Sequence, residues 1–350
     1  MSESLSLATV RLSNSRPLEQ FDFIRINPDR SVTWYNSRPR KQHENSQKNL
    51  DEKRGQYNGF MSDATTSKVK KMLSLWMAAM QVGIDHAKKT YGDGKKCPYY
   101  PRFLTLTLPS KQKEGDQEFK RKYLERFIQE MKRRCLVKYY FWKAEPQGNG
   151  NIHFHFIIDR WVDKVKIQKI WCHILEPYVL EYQKKHGDCT RLPPCVKIER
   201  VRNQKKLGDY AVKYALKEGD EDRRAIEGRI WGASKELKEL KGLEVYHGEV
   251  ARHQLEFEMD QVKHYKVDYA GQDEYYCHVK FSNVAWKQMN LTRMHLTKHI
   301  EKIYKALYNG RTLDYEKMVK KKILNSDYLF NRYLYAFDPV NNVAAPCTIV

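Results

Sequence analysis

The sequence predicts an α+β fold, a central and mostly antiparallel sheet flanked by helices, and three observations carry that reading. Between residues 103 and 218 short apolar alternations and four-residue apolar stripes follow one another in the order β-α-β-β-α-β-α. Two of the strands are joined only by Gly148-Asn149-Gly150, a connection that makes them antiparallel neighbours. The chain is 41% hydrophobic and 12% aromatic, enough to bury a core rather than remain disordered.

Residues 1–56 read as a basic, irregular arm, because Ser13-Asn14-Ser15-Arg16-Pro17 and Ser37-Arg38-Pro39-Arg40 are turn-rich and aperiodic. Asp63 or Thr66 then caps a helix with Val69, Met72, Leu73, Trp76 and Met80 on its apolar stripe. Phe103–Leu108 alternates as a strand that Pro109 stops. A helix over 116–134 carries Phe119, Tyr123, Phe127 and Met131 at four-residue steps, and strands follow at 138–145 and 152–158. One helix over 163–185, a strand over 195–201 and a helix over 204–218 complete the pattern. Gly228–Ser234 reads as a loop, 244–281 as strand-prone and 284–308 as helical, a C-terminal α/β extension.

The 64 Lys and Arg against 43 Asp and Glu give a net charge of +21, a field that draws polyanions, nucleic acid foremost. No run approaches the ~20 apolar residues of a membrane span, so no membrane partner is expected. The N-terminus lacks the basic-then-apolar pattern of a secretory signal. Seven scattered cysteines without a CxxC pair fit free thiols in a reducing cytoplasm, the expected location.

Ile152, Phe154, Phe156 and Ile158 share one face of their strand, so His153 and His155 point together to the other. A turn centred on Asn149 sets Glu145 directly opposite His153, on the same face. Two imidazoles and a carboxylate converging this way make a metal site with open positions. Ligand type alone also admits zinc or iron; phosphodiester chemistry on a basic chain favours Mg²⁺ or Mn²⁺.

Tyr210 and Tyr214 stand one turn apart on a helix, and Lys213 and Lys217 each follow a tyrosine by three residues. A phenol with pKa near 10 needs such an ammonium to become a nucleophile, and the same cation can hold a phosphate. With 23 tyrosines, about 1.5 such pairs arise by chance, so the pair gains weight only beside the metal corner.

In this order the motifs resemble the HUH endonuclease superfamily, named for its His-hydrophobic-His strand. They are most similar to rolling-circle replication initiators, or Rep proteins, of microviruses and small plasmids. Phe103-Leu104-Thr105-Leu106-Thr107 stands for the first family motif. Glu145 with His153-Phe154-His155 stands for the second, and Tyr210-x-x-Lys213-Tyr214-x-x-Lys217 for the third. The resemblance implies an HUH/Rep-type fold and a nicking domain over 57–240, with 241–350 as an accessory region of mixed strand and helix. It also implies metal-dependent cleavage of single-stranded or hairpin origin DNA, a 5′-phosphotyrosine link, a free 3′-OH primer and later rejoining. Family members use one or two tyrosines; Tyr214-Ala215-Leu216-Lys217-Glu218-Gly219 resembles the first form, the Tyr210–Tyr214 pair the second, and alternation of both is favoured. The same chemistry serves transposases and relaxases, and a non-catalytic origin binder or repressor is the reading from another class. No Gly-x4-Gly-Lys-Ser/Thr loop occurs, so strand displacement is expected to need a host helicase, and primer extension a host polymerase.

Overall fold

The computed structural model describes residues 21–36, 61–91, 101–187, 192–200, 224–246, 250–261, 267–272 and 276–308. Its elements in chain order are β1 (Phe23–Ile26), β2 (Ser31–Tyr35), α1 (Asp63–Tyr91), β3 (Arg102–Leu106) and α2 (116–135). Then come β4 (Tyr140–Pro146), β5 (Ile152–Ile158), α3 (Lys164–Ile174), α4 (Glu176–His186), β6 (Val196–Arg200), β7 (Trp231–Ala233) and α5 (Lys235–Lys238). The rest are β8 (Leu243–Tyr246), α6 (Val250–Gln261), β9 (Val267–Gln272), β10 (Tyr276–Phe281), α7 (Asn283–Gln288) and α8 (Asn290–Tyr308). They build two antiparallel sheets, ordered β6-β3-β5-β4-β7 and β8-β1-β2-β10-β9, flanked by helices. The α+β expectation holds, and the architecture is consistent with an HUH/Rep-type fold. No described helix is long and apolar enough to cross a membrane.

The first sheet lies between two cores. Leu104, Phe154, Phe156 and Ile158 pack against Phe119, Phe127, Trp171 and Tyr178 of α2, α3 and α4. The opposite face gives Phe103, Phe141 and Ile157 to a core shared with α1, α8 and the second sheet. Two hydrogen bonds tie that side together: Trp76 Nε1 donates to Tyr308 Oη at 3.0 Å and Tyr139 Oη to the Leu307 carbonyl at 2.5 Å.

Several elements differ from the sequence reading. The N-terminal segment is not irregular over 23–35: it forms a hairpin whose β1 pairs β8 and whose β2 pairs β10, partners more than 200 residues away in sequence. Ser62, not Asp63 or Thr66, caps α1, its Oγ accepting from the Thr65 amide at 3.3 Å. The single helix expected over 163–185 is two, because Pro177 lacks an N–H to donate within a continuous helix and instead opens α4. Part of Gly228–Ser234 is strand β7, paired to β4, and α6 interrupts the stretch read as strand-prone. The 204–218 helix lies outside the described residues.

A brace of buried polar contacts fixes the tip of the β4–β5 hairpin. Asn151 accepts from the Gln112 amide at 2.9 Å and donates to the Ser110 carbonyl, while Gln112 Oε1 accepts from the Ile152 amide at 2.8 Å. Arg224 pairs with both oxygens of the buried Asp116 at 2.6 and 2.9 Å and donates to the Gly150 carbonyl at 2.8 Å. A single π turn, Lys120–Leu124, lies within α2, and the buried Lys120 donates from it to the Glu227 and Arg229 carbonyls. Glu114 accepts from Tyr178, Tyr123 and Lys122.

Two outcomes follow from this packing. A Cβ on Gly232 would lie 2.6 Å from Trp142 Nε1, so Gly232→Ala is expected to cost about 1–3 kcal/mol by urea unfolding. Burial raises the Glu114 carboxyl, but Tyr178, Tyr123 and Lys122 outweigh it and hold it at about 2 against an ordinary 4.5. A depressed carboxylate stabilises the fold above its unfolded pKa, and that contribution is lost as pH falls from 4.5 towards 2. Glu114→Gln is therefore expected to lower the melting temperature at pH 7 and to show a shallower loss than wild type across that acid window.

Candidate metal centre

The corner is built by strand register. Glu145 pairs with His153 and Lys143 with His155 across β4 and β5, and Thr105 of β3 pairs with His155 from the other side. The turn that sets this register is closed by Gln147 N–H to the Asn151 carbonyl at 2.7 Å and Gly150 N–H to the Gln147 carbonyl at 2.9 Å. Gly150 has φ +83°, a conformation that suits glycine. Because Ile152, Phe154, Phe156 and Ile158 are completely buried on one face, the histidines have no choice but the other.

Glu145 Oε2 lies 3.2 Å from His155 Nε2 and 3.6 Å from His153 Nε2, and one ligand atom from each of the three residues falls within 4.8 Å of the others. The imidazole rings stand edge to face, 4.6 Å between centroids. Thr105 Oγ1 sits 3.2 Å from His155 Nδ1, fixing that ring from behind and leaving Nε2 towards the carboxylate. Both ring nitrogens of His153 are buried without a hydrogen bond among the described residues. Glu145, only 8% exposed, has Lys143 Nζ at 2.8 Å from its Oε1. Burial opposes its ionisation, but His153, His155 and Lys143 prevail and hold the carboxyl far below the usual carboxylate range.

An ionised carboxylate beside an imidazole that lacks hydrogen bonds is the donor set a divalent cation completes. All three metal ligands expected from the sequence are thus brought together. The sequence alone assigns no ligand-supporting role to Lys143 or Thr105, although the register that sets Glu145 opposite His153 also sets Lys143 opposite His155. Tyr210, Lys213, Tyr214 and Lys217 lie outside the described residues. The chain carrying them leaves the sheet at Arg200, the end of edge strand β6. It rejoins the described fold at Arg224, on the hairpin tip beside the corner.

If Thr105 orients His155 for metal, Thr105→Val is expected to weaken Mn²⁺ binding about tenfold and Glu145→Ala to abolish it, both measured by calorimetry. Equal Mn²⁺ affinity in Thr105→Val and wild type would exclude that orienting role.

Residues 101–219 match a family of replication-associated proteins, described as the ORF2 type. The matched span begins one residue before β3 and takes in the three residues of the corner and both tyrosines. No curated protein and no solved structure matches the chain. The family match supports a role in DNA replication initiation of the Rep type, with DNA as the partner.

Proposed function

We propose that this chain is a rolling-circle replication initiator that nicks single-stranded origin DNA and later rejoins it. The observation that carries the proposal is the convergence of Glu145, His153 and His155 within the replication-associated span. In this reading residues 57–240 are the nicking domain and residues 241–350 an accessory region, joined to residues 23–35 through the second sheet.

A Mg²⁺ or Mn²⁺ ion held by Glu145, His153 and His155 supplies Lewis-acid polarisation of the scissile phosphate. Thr105 and Lys143 keep His155 and Glu145 aimed at that position. The phenolic oxygen of Tyr210 or Tyr214 attacks phosphorus and the bond to O3′ breaks, leaving a 5′-phosphotyrosine and a 3′-hydroxyl. Lys213 and Lys217 lower the phenol pKa and neutralise the phosphate. The phosphotyrosine bond conserves the energy of the phosphodiester, so the reverse attack reseals the strand without ATP. The second tyrosine serves the second cut, made while the first still carries a 5′ end. Unwinding falls to a host helicase and synthesis to a host polymerase.

The test is incubation with a pool of single-stranded oligonucleotides and Mn²⁺, followed by denaturing electrophoresis. A covalent protein–DNA band is expected with wild type, none with His153→Ala or with Tyr210→Phe/Tyr214→Phe together, and a band with either single tyrosine variant. DNA binding without any band would assign the fold to a non-catalytic origin binder. Loss of the band in one single tyrosine variant, with the other behaving as wild type, would assign a single nucleophile.

A further inference from the structure

A basic notch of ≈ 230 Å³ opens between α2 and α3, lined by Arg126, Glu130, Arg133, Arg134, His173 and the isoleucines 170 and 174. Glu130 accepts from Arg133 at 2.8 Å and from Arg134, which is only 16% exposed and so is held against the floor. Arg133 is 63% exposed, and Arg126 is exposed as well, leaving both guanidinium heads in reach of solvent. His173 reports the local field: burial, then Arg126, pushes its imidazole pKa down, so the potential there is positive in spite of Glu130.

The notch is remote from the metal corner. Phe127 and Met131 of α2 and Ile170, Trp171 and Ile174 of α3 pack with Phe154 and Phe156, on the sheet face opposite the histidines. The charged residues therefore line the outer surface of the helical layer. Arg126 and Arg133 are seven residues apart, about 10 Å along the helix, a spread better suited to successive phosphates than to one small anion. Among the described residues no Phe, Tyr or Trp lines the notch, so its walls offer no stacking platform for unpaired bases. Arginine forks match phosphate oxygens and leave base sequence unread.

We infer that the notch between α2 and α3 grips the sugar–phosphate backbone of a duplex arm flanking the strand to be cut. The inference rests on the DNA-nicking reading above. Two sites on opposite sides of one sheet let the protein hold the paired arm of an origin hairpin while its unpaired portion lies at the metal corner. The grip is independent of sequence and strongly dependent on salt.

The test uses the full chain and its Arg126→Gln/Arg133→Gln variant, both positions being exposed. Fluorescence anisotropy follows binding to a labelled hairpin with a long duplex stem and to a short single strand, from low to physiological salt. The variant is expected to bind the stem-bearing hairpin about tenfold more weakly, with the slope of log K against log salt reduced by about one to two. Its affinity for the short strand, and its Mn²⁺-dependent adduct yield on that strand, are expected to equal wild type. Unchanged hairpin affinity overturns the inference, as does equal loss on both substrates. Tighter binding of an acidic polypeptide than of the duplex stem, lost in the variant, overturns it too and would assign the notch to an acidic protein partner. Wild type failing to form any adduct would refute the nicking reading alone, since the stem-dependent affinities still judge the notch.

Discussion

Strand β5 has both faces committed, and this constraint orders the rest of the first sheet. Ile152, Phe154, Phe156 and Ile158 are completely buried against the helices, and Ile157 is completely buried on the opposite face under the shared core. Only His153 and His155 remain on that second face, at the end where the apolar cover gives out. A one-residue slip against β4 would turn the histidines into the core and two phenylalanines outwards, a change that no local repacking absorbs. The geometry of the corner is therefore inherited from hydrophobic burial, and the three polar residues need little mutual attraction to assemble.

Polar groups then refine what burial has set. A nearly buried carboxylate is costly unless its surroundings favour the charge, and Lys143, His153 and His155 supply that compensation for Glu145. Without the lysine, charge balance at the corner would rest on the imidazoles alone, whose nitrogens are the ones a cation needs. Lys143 so leaves the histidines available to act as neutral ligands. The brace around the hairpin tip works at longer range. Asp116 joins Arg224 to Gln112, and Gln112 and Asn151 join that loop to the start of β5, so the turn is held from the side opposite the ligands.

Much of the corner is legible in the sequence because its determinants are local. The alternation of residues 152–158 gives the strand its observed bounds, and a symmetric turn about Asn149 gives the Glu145–His153 pairing by counting. The stripe of α1 and the four-residue steps of α2 are legible for the same reason, being periodic within one element. The N-terminal hairpin is not: β1 and β2 are four and five residues long and owe their stability to β8 and β10. Nothing within about twenty residues announces those partners. β7 is hidden by brevity, three residues with a glycine at the centre that a local reading assigns to a loop and that the nearby Trp142 ring requires. The π turn around Lys120 escapes as well, because its cause is a set of carbonyls over a hundred residues downstream.

The tyrosines enter the argument through the chain that tethers them. Tyr210 lies ten residues after Arg200, which ends β6, and Tyr214 ten residues before Arg224, which is bonded to the hairpin tip. A fully extended chain spans at most ~3.3–3.6 Å per residue, so neither tyrosine Cα can lie farther than about 36 Å from its anchor. A nucleophile tethered on that scale is present at an effective concentration in the millimolar range, whatever the amount of protein in solution. In the proposed nicking reaction, tyrosine attack at this corner is thus an intramolecular problem of orientation, and the anchor at Arg224 is the part of it written into the same hydrogen-bond brace that positions the metal ligands.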